Sequence, residues 1–287
     1  MSTRLSTLPP FDGAGVLRYL SGHAIPGVEA GDDTHYERFI RTPDGSVAKL
    51  SVELDGPDAV IASLDGSALP AELVPRVRRL FDLDADSAAI DAHLSGDGAL
   101  SAAVSANPGI RLPGSLDPAE QLLRTMIGQQ ISIAAARTVL ARLARELDGT
   151  GLFPAAADFA EHGLDVLRGP RQRVAAVHGA ALALASGSLD LHAGLTTAEL
   201  TERLITLPGV GEWTAGYVAM RTLGAPDVLL ATDLVLVKGA ARLGLPATPK
   251  GISEYGHRWA PYRSYAGLHL WRVAQPPEPR AKERFSG

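Results

Sequence analysis

The chain has 287 residues, of which 46% are hydrophobic and 21% are charged, a composition typical of a folded protein with one large domain or two to three smaller ones. The absence of cysteine excludes disulfides, cysteine-ligated zinc and iron–sulfur clusters within these residues. The net charge of −5 is uneven, because residues 1–98 hold 8 basic and 16 acidic side chains whereas residues 234–287 hold 9 and 3.

Residues 1–93 predict a small α+β domain. Apolar and polar residues alternate through residues 35–66, and the turn signals "PDG", "DGP" and "LDG" interrupt this alternation, which predicts several antiparallel strands. Helical patterns flank these strands at residues 12–21 and 70–80.

From about residue 86 onward the strand pattern ends and helical spacing takes over. Asp117 as N-cap and Pro118 as first helical residue predict a helix start, and a break follows at residues 128–130. Further helices are predicted at residues 155–161, 172–186, 197–206, 212–222 and 234–243, and in two pieces separated by Pro261 and ended by the prolines of residues 276–279. The fold class is therefore mainly α with an N-terminal α+β domain.

The segment "LPGVGEW" at residues 207–213 contains a proline and two glycines between two predicted helices. Pro208 ends the first helix, and Gly209 and Gly211 allow positive φ angles. The N–H groups of the next helix would then be free to bind an anion such as phosphate. A plain tight turn between two helices explains the same spacing.

Two further features follow this segment. All three tryptophans and four of the six tyrosines lie after residue 210, which predicts either a local aromatic core or a pocket for a flat ring. Asp233 interrupts the apolar run at residues 228–237, where it is either the N-cap of the next helix or a catalytic acid, and it can be both if that helix begins at a pocket wall.

Four segments together resemble the helix–hairpin–helix DNA glycosylase superfamily and, within it, the AlkA-type DNA-3-methyladenine glycosylases. The resemblance covers nearly the whole chain, in order, and its most specific part is the hairpin followed by a lone aspartate. The segments are "LPPFDGAGVLRYL", "RLPGSLDPAEQLLRTMIGQQIS", "LPGVGEWTA" with Asp233, and "RWAPYRSYAGLHLW".

The resemblance implies a helix–hairpin–helix core preceded by a small antiparallel-sheet domain. The implied division places residues 1–93 in the sheet domain and residues 119–224 in the domain that carries the hairpin. Residues 94–118 and 225–287 then form the domain that carries Asp233 and the basic C-terminal part.

The resemblance also implies how the hairpin binds DNA. Its backbone amides would bind a phosphate, and its carbonyl groups would hold a sodium or potassium ion, while arginines of the C-terminal part add attraction to the polyanion. The amides are those of Gly209, Gly211 and Thr214, and the carbonyls are those of Ile205, Leu207 and Val210.

For the chemistry, the resemblance implies that a damaged nucleotide is flipped into an aromatic cleft formed by Trp213, Tyr217 and Trp271, with Asp233 as the catalytic acid residue. A purine alkylated at N3 or N7 is cationic and leaves easily, and a carboxylate stabilises the oxocarbenium-like sugar. Bifunctional relatives carry a lysine where this chain has Trp213, so no lyase step is expected.

The turn "IGQQIS" matches the loop that inserts a residue into the DNA stack. An apolar wedge is the physical expectation there, but Gln130 occupies the matching place and Ile131 follows. A surface polar residue at a helix end is the alternative interpretation of Gln130.

The sequence therefore predicts a monofunctional glycosylase that removes alkylated purines, of the 3-methyladenine and 7-methylguanine type, from double-stranded DNA. It is expected to need no cofactor, to be a monomer without a membrane partner, and to act in the bacterial cytoplasm. The alternatives are a catalytically silent DNA-structure-binding protein and a glycosylase for deaminated or oxidised purines.

Overall fold

The computed structural model describes residues 1–42 and 44–275. The predicted proline cluster at residues 276–279 and the last basic residues of the chain lie outside the described residues. Within the described part of the chain, no helix is both long and apolar enough to cross a lipid bilayer. The chain begins with an antiparallel sheet and continues as helices, which confirms the predicted fold class.

The N-terminal sheet shares one apolar core with two helices. Its elements are β1 (Thr3–Ser6), β2 (Glu29–Gly31), β3 (His35–Arg41), β4 (Val47–Leu54) and β5 (Ala59–Leu64), with helices α1 (Gly13–His23) and α2 (Val74–Leu80). The strands lie in the order β1-β5-β4-β3-β2, all antiparallel. The two edge strands were not predicted, because strands of three or four residues carry too little alternation to be recognised.

The rest of the described chain is helical. Its elements are α3 (Ser87–Ser95), α4 (Ser101–Ala106), α5 (Pro118–Gly128), α6 (Ile133–Leu147), α7 (Ala156–Val166), α8 (Arg171–Ala185), α9 (Thr197–Ile205), α10 (Glu212–Leu223), α11 (Leu234–Arg242), α12 (Pro249–Tyr255), a 3-10 turn (Gly256–Trp259) and α13 (Arg263–Ala274). The predicted helices are present, with ends shifted by up to five residues. Helices α3 and α4 lie in the region where helical spacing was predicted, but their bounds were not predicted, because they are short and rich in alanine and serine.

The described residues form three hydrophobic cores, and the partly buried Val228 packs against both the second and the third. The first lies between the sheet and α1 and α2, the second among α5 to α10, and the third among α3, α4 and α10 to α13. Leu116, which directly precedes the α5 region of the second core, belongs to the first core. Met220 belongs to the third core, although other buried residues of α10 belong to the second. The division into domains at residues 93, 118 and 224 stays a prediction.

A buried ion network joins the sheet to α5. Glu29 on β2 accepts hydrogen bonds from Arg38 on β3 at 3.2 Å and from Arg124 on α5 at 2.9 and 3.0 Å. Both arginines also bind Glu120, and the Tyr36 hydroxyl donates to Glu29 at 2.8 Å. The Glu29 side chain is 5% exposed, so each charge depends on its partners rather than on water.

The variant Glu29→Gln removes the shared anion of this network and leaves two buried guanidinium groups competing for Glu120. We expect the free energy of unfolding in urea to fall by about 3 kcal/mol or more. Glu37→Gln is the matched control, because Glu37 pairs with Lys49 on the exposed side of the same sheet, where an ion pair contributes about 0–1 kcal/mol. If the free energy of unfolding fell equally in the two variants, the network would not make the large contribution to stability that is expected here.

The same network makes stability sensitive to acid. Burial alone raises the pKa of Glu29, but the positive charges of Arg124 and Arg38 outweigh it and lower this pKa to about 2. Because the folded-state pKa is depressed, the stabilisation is present above the ordinary value of 4.5 and is lost as the pH falls towards about 2. The difference in unfolding free energy between wild type and Glu29→Gln should therefore shrink in urea titrations at decreasing pH. A constant difference would contradict this assignment.

Candidate functional site

The hairpin between α9 and α10 is closed by a type II turn. The Val210 N–H donates to the Leu207 carbonyl at 3.1 Å, with Pro208 and Gly209 at the two central positions. Gly209 has a φ of 79°, which the third position of this turn requires and which a side chain would strain. An added Cβ on Gly209 would also lie 3.1 Å from the Cβ of Ala176 on α8.

The turn leaves backbone donors free. Among the hydrogen bonds of residues 1–42 and 44–275, none uses the N–H groups of Gly209, Gly211 or Thr214. Gly209 and Gly211 are exposed, and Thr214 lies in the first turn of α10, where unpaired N–H groups and the positive end of the helix dipole favour an anion. Phosphate binding by these amides stays a prediction that this geometry supports.

Two of the three predicted cation-binding carbonyl groups of the hairpin are also free of backbone hydrogen bonds within the described residues. Within the described residues, the Ile205 and Val210 carbonyls accept no backbone hydrogen bond, whereas the Leu207 carbonyl accepts the one that closes the turn. Carbonyl oxygens are hard ligands of the kind that alkali-metal ions prefer, so this donor set fits a monovalent cation. No cluster of three or more acidic, histidine or cysteine side chains suited to a metal occurs in the described part of the chain.

Asp233 is both a helix cap and a member of the aromatic cluster. Its Oδ1 accepts from the N–H groups of Val235 and Leu236 at 2.9 and 2.8 Å, so it caps α11. The Trp271 indole N–H also donates to Oδ1 at 3.0 Å, and the Trp213 indole N–H donates to Oδ2 at 3.1 Å. Four N–H donors therefore hold one half-buried carboxylate, three of them on Oδ1 and one on Oδ2, so that Oδ2 retains acceptor capacity.

The three predicted pocket rings lie together beside this carboxylate. Trp213 and Tyr217 stack with ring centroids 5.1 Å apart and planes 7° from parallel. Tyr217 meets Trp271 at 6.4 Å and 63°, so these two half-buried rings form an angled wall. The Trp213 ring stacks directly on the Tyr217 ring, which leaves no space for a further flat ring between these two.

Two residues behind this wall were missed at the sequence level. Arg221, on α10 and 1% exposed, places its guanidinium 4.3, 4.9 and 5.7 Å from the ring centroids of Tyr19, Tyr217 and Trp271 and donates to the Pro113 carbonyl at 2.9 Å. Tyr19, on α1, shares a hydrogen bond of 2.6 Å with the Tyr217 hydroxyl. The spacing of Trp213, Tyr217 and Arg221, each four residues apart, was the available signal, because it places them on one face of a helix.

The N-terminal sheet domain therefore contributes to the site. Tyr19 stacks on His23 with ring centroids 4.1 Å apart, and both lie on α1. Burial raises the pKa of the Tyr19 hydroxyl, and burial is also the main reason why the pKa of His23 is lowered to about 4. Both groups are thus neutral near pH 7, and they leave Arg221 as a cation among aromatic rings.

The turn between α5 and α6 lies next to the hairpin. Gln130 is exposed at its tip with a φ of 62°, and the exposed Ile131 follows. The neighbouring Gln129 donates through Nε2 to the Gly209 carbonyl at 3.1 Å and to the Thr214 hydroxyl at 2.9 Å. The structure thus brings the predicted wedge beside the predicted phosphate-binding turn, and it adds Gln129, which the sequence analysis did not single out.

A cavity of about 500 Å³ lies elsewhere in the molecule. It is formed by residues of α2, α3 and α13 and contains Asp82, whose pKa is raised by burial to about 6. None of the predicted site residues lines this cavity, and the aromatic cluster beside the hairpin stays the candidate site.

This chain is similar to several known proteins. A family model described as the AlkA N-terminal domain matches residues 2–117. The "Probable bifunctional transcriptional activator/DNA repair enzyme AlkA" of Mycobacterium tuberculosis (strain ATCC 25618 / H37Rv) is 38% identical over 289 residues, which cover 96% of this chain and 58% of the relative. This chain therefore spans little more than half the length of that relative.

Two further proteins match over nearly their whole length. The 3-methyladenine DNA-glycosylase from Archaeoglobus fulgidus has the same fold, with a TM-score of 0.79, 17% identity and coverage of 95% of this chain and 98% of that one. The DNA-3-methyladenine glycosylase 2 of Escherichia coli (strain K12) is 32% identical over 282 residues, which cover 93% of this chain and 95% of the relative. This chain therefore belongs to the DNA-3-methyladenine glycosylase 2 (AlkA) family.

Proposed function

We propose that this chain is a monofunctional DNA glycosylase that excises alkylated purines, of the 3-methyladenine and 7-methylguanine type, from duplex DNA. The observation that carries the proposal is the Asp233 carboxylate, held by the indole N–H groups of Trp213 and Trp271 beside an aromatic wall. A carboxylate fixed next to a surface for a flat ring suits cleavage of the bond between a base and its sugar. The similarity to a probable DNA repair enzyme and to a DNA-3-methyladenine glycosylase supports the same function.

The hairpin would bind the phosphate backbone of the DNA. The free amides of Gly209, Gly211 and Thr214 bind one phosphate through peptide dipoles, which explains how a chain of net charge −5 binds a polyanion. A sodium or potassium ion at the carbonyls of Ile205, Leu207 and Val210 would add a positive charge beside that phosphate. We further propose that the chain acts as a monomer in the bacterial cytoplasm.

The chemistry follows from the charges. When the bond from C1′ to the purine nitrogen breaks, its electron pair goes to the cationic base, which leaves neutral, and C1′ gains oxocarbenium character. The fixed negative charge of Asp233 stabilises this character without having to reorient, and water then adds to C1′ and loses a proton. Hydrolysis in this form needs no cofactor, and Trp213 offers no amine for a lyase step.

Selectivity for damaged bases then depends mainly on how easily the base leaves. Aromatic faces attract a cationic base by about 0.5–2 kcal/mol each. Arg221 already places its positive charge over Tyr217 and Trp271, however, and this weakens the attraction of those rings for a second cation. An undamaged neutral purine is a poor leaving group, so it is retained even if it reaches the wall.

The variant Asp233→Asn tests the catalytic assignment. Asparagine still caps a helix, so the fold is kept, but the negative charge is lost. We expect release of 3-methyladenine from duplex DNA to fall by about 10²-fold or more, with binding to abasic-site DNA largely retained. The measurement is single-turnover excision, read by alkali cleavage, on duplexes that carry one alkylated, deaminated or oxidised purine.

Asp86→Asn is the control, because Asp86 caps α3 through the Ala89 N–H in the same way and lies outside the site. Full activity of Asp233→Asn would show that the catalytic assignment is wrong. A wild-type chain that binds abasic DNA and releases no base would instead favour a silent DNA-structure-binding protein.

The variant Trp271→Phe tests the orientation of the carboxylate. It keeps an aromatic ring but removes the indole donor to Asp233 Oδ1, and a hydrogen bond to a charged group contributes about 1.5–3 kcal/mol. We expect the excision rate to fall by roughly ten- to hundredfold. Trp259→Phe is the matched control, because Trp259 donates to Asp97 at 2.7 Å outside the site and its loss should lower stability rather than rate. An unchanged rate in Trp271→Phe would contradict the assignment.

A further inference from the structure

We infer that Gln129 is a positioning residue that holds the DNA-inserting turn at a fixed distance from the phosphate-binding hairpin. The inference rests on the proposed function, because it concerns how the two DNA-contacting turns act together. It gives a role to a residue that is neither the wedge nor a member of the aromatic wall.

The contacts of Gln129 join two segments about eighty residues apart in sequence. Its Nε2 donates to the Gly209 carbonyl at 3.1 Å and to the Thr214 hydroxyl at 2.9 Å. A carbonyl oxygen only accepts, so the amide must present its NH₂ group to the hairpin. Thr214 is 4% exposed, which places one of the two bonds in a mostly buried setting.

Each end of this link is conformationally defined. Gly209 belongs to the type II turn and flanks the free amides, so a hydrogen bond to its carbonyl fixes the peptide plane that precedes Val210. At the other end, Gln130 adopts a φ of 62°, which is uncommon for a side chain other than glycine, asparagine or aspartate. Ser132 then caps α6 by accepting from the Ala135 N–H at 3.2 Å.

A second contact secures the base of the same turn. Arg173, near the start of α8, donates to the Ile127 carbonyl in the last turn of α5. With Arg173 holding the end of α5 and Gln129 holding the hairpin, the Gln130 side chain projects from a turn that is fixed on two sides. Phosphate binding at the hairpin then places the wedge at the DNA stack without a further ordering cost.

The variant Gln129→Met keeps the length of the side chain and removes both hydrogen bonds. We expect the preference for abasic-site duplex over intact duplex of the same sequence to fall by about tenfold, with the affinity for intact duplex nearly unchanged. Gln121→Met is the matched control, because Gln121 lies on α5, the helix that Gln129 follows, and donates to Thr125 at 3.0 Å, away from the hairpin. This control should keep the wild-type preference.

A double-mutant cycle with Gln130→Ala separates positioning from general stability. If Gln129 acts through the wedge, Gln129→Met has little further effect on the abasic preference once Gln130 is truncated. The inference would be overturned if the effects of the two variants on the abasic preference multiplied in the double variant, or if Gln129→Met left this preference unchanged. Either result would leave the proposed function intact. A wild-type chain without any preference for abasic DNA would overturn this inference, whereas the proposed function fails only if the wild-type chain releases no base.

Discussion

The arrangement of the site depends on the buried ion network of Glu29, Arg38, Glu120 and Arg124. Because these charges are largely removed from water, they are stable only with their partners in place, and this fixes α5 against the sheet. Arg124 also donates to the His23 carbonyl at the end of α1. One network therefore sets the positions of two helices that reach the site, α1 through Tyr19 and α5 through Gln129.

Helix α10 carries the predicted site residues that are in contact with α1 and with the turn after α5. Its first turn presents free amides, and one face carries Trp213, Tyr217 and Arg221 at intervals of four residues. Tyr19 hydrogen-bonds the middle residue of this row, while Gln129 binds the hairpin that precedes the helix. The sheet domain thus completes the wall behind the proposed site, although no strand residue of the described chain lies in it.

Sequence patterns anticipated some residues of the site better than others. Asp233 was recognisable because a lone acid in an apolar run needs a reason, and helix capping and membership of the aromatic cluster both supply one. Arg221 and Gln129 were not recognised, because an arginine within a helix and a glutamine at its end are ordinary surface residues by pattern. Their significance comes from burial among distant rings and from a partner about eighty positions away.

The sequence by itself determined the elements: the alternation of the sheet, the helical periods, and the proline and glycine that require the turn at Gly209. These depend on local backbone preferences and on which face of an element is apolar, and both are written in neighbouring residues. The tertiary structure alone decided that Tyr19 meets Tyr217, that two indoles hold Asp233, and that Gln129 binds the hairpin. Such contacts arise when separate elements pack, and their geometry is set by the whole core rather than by any segment.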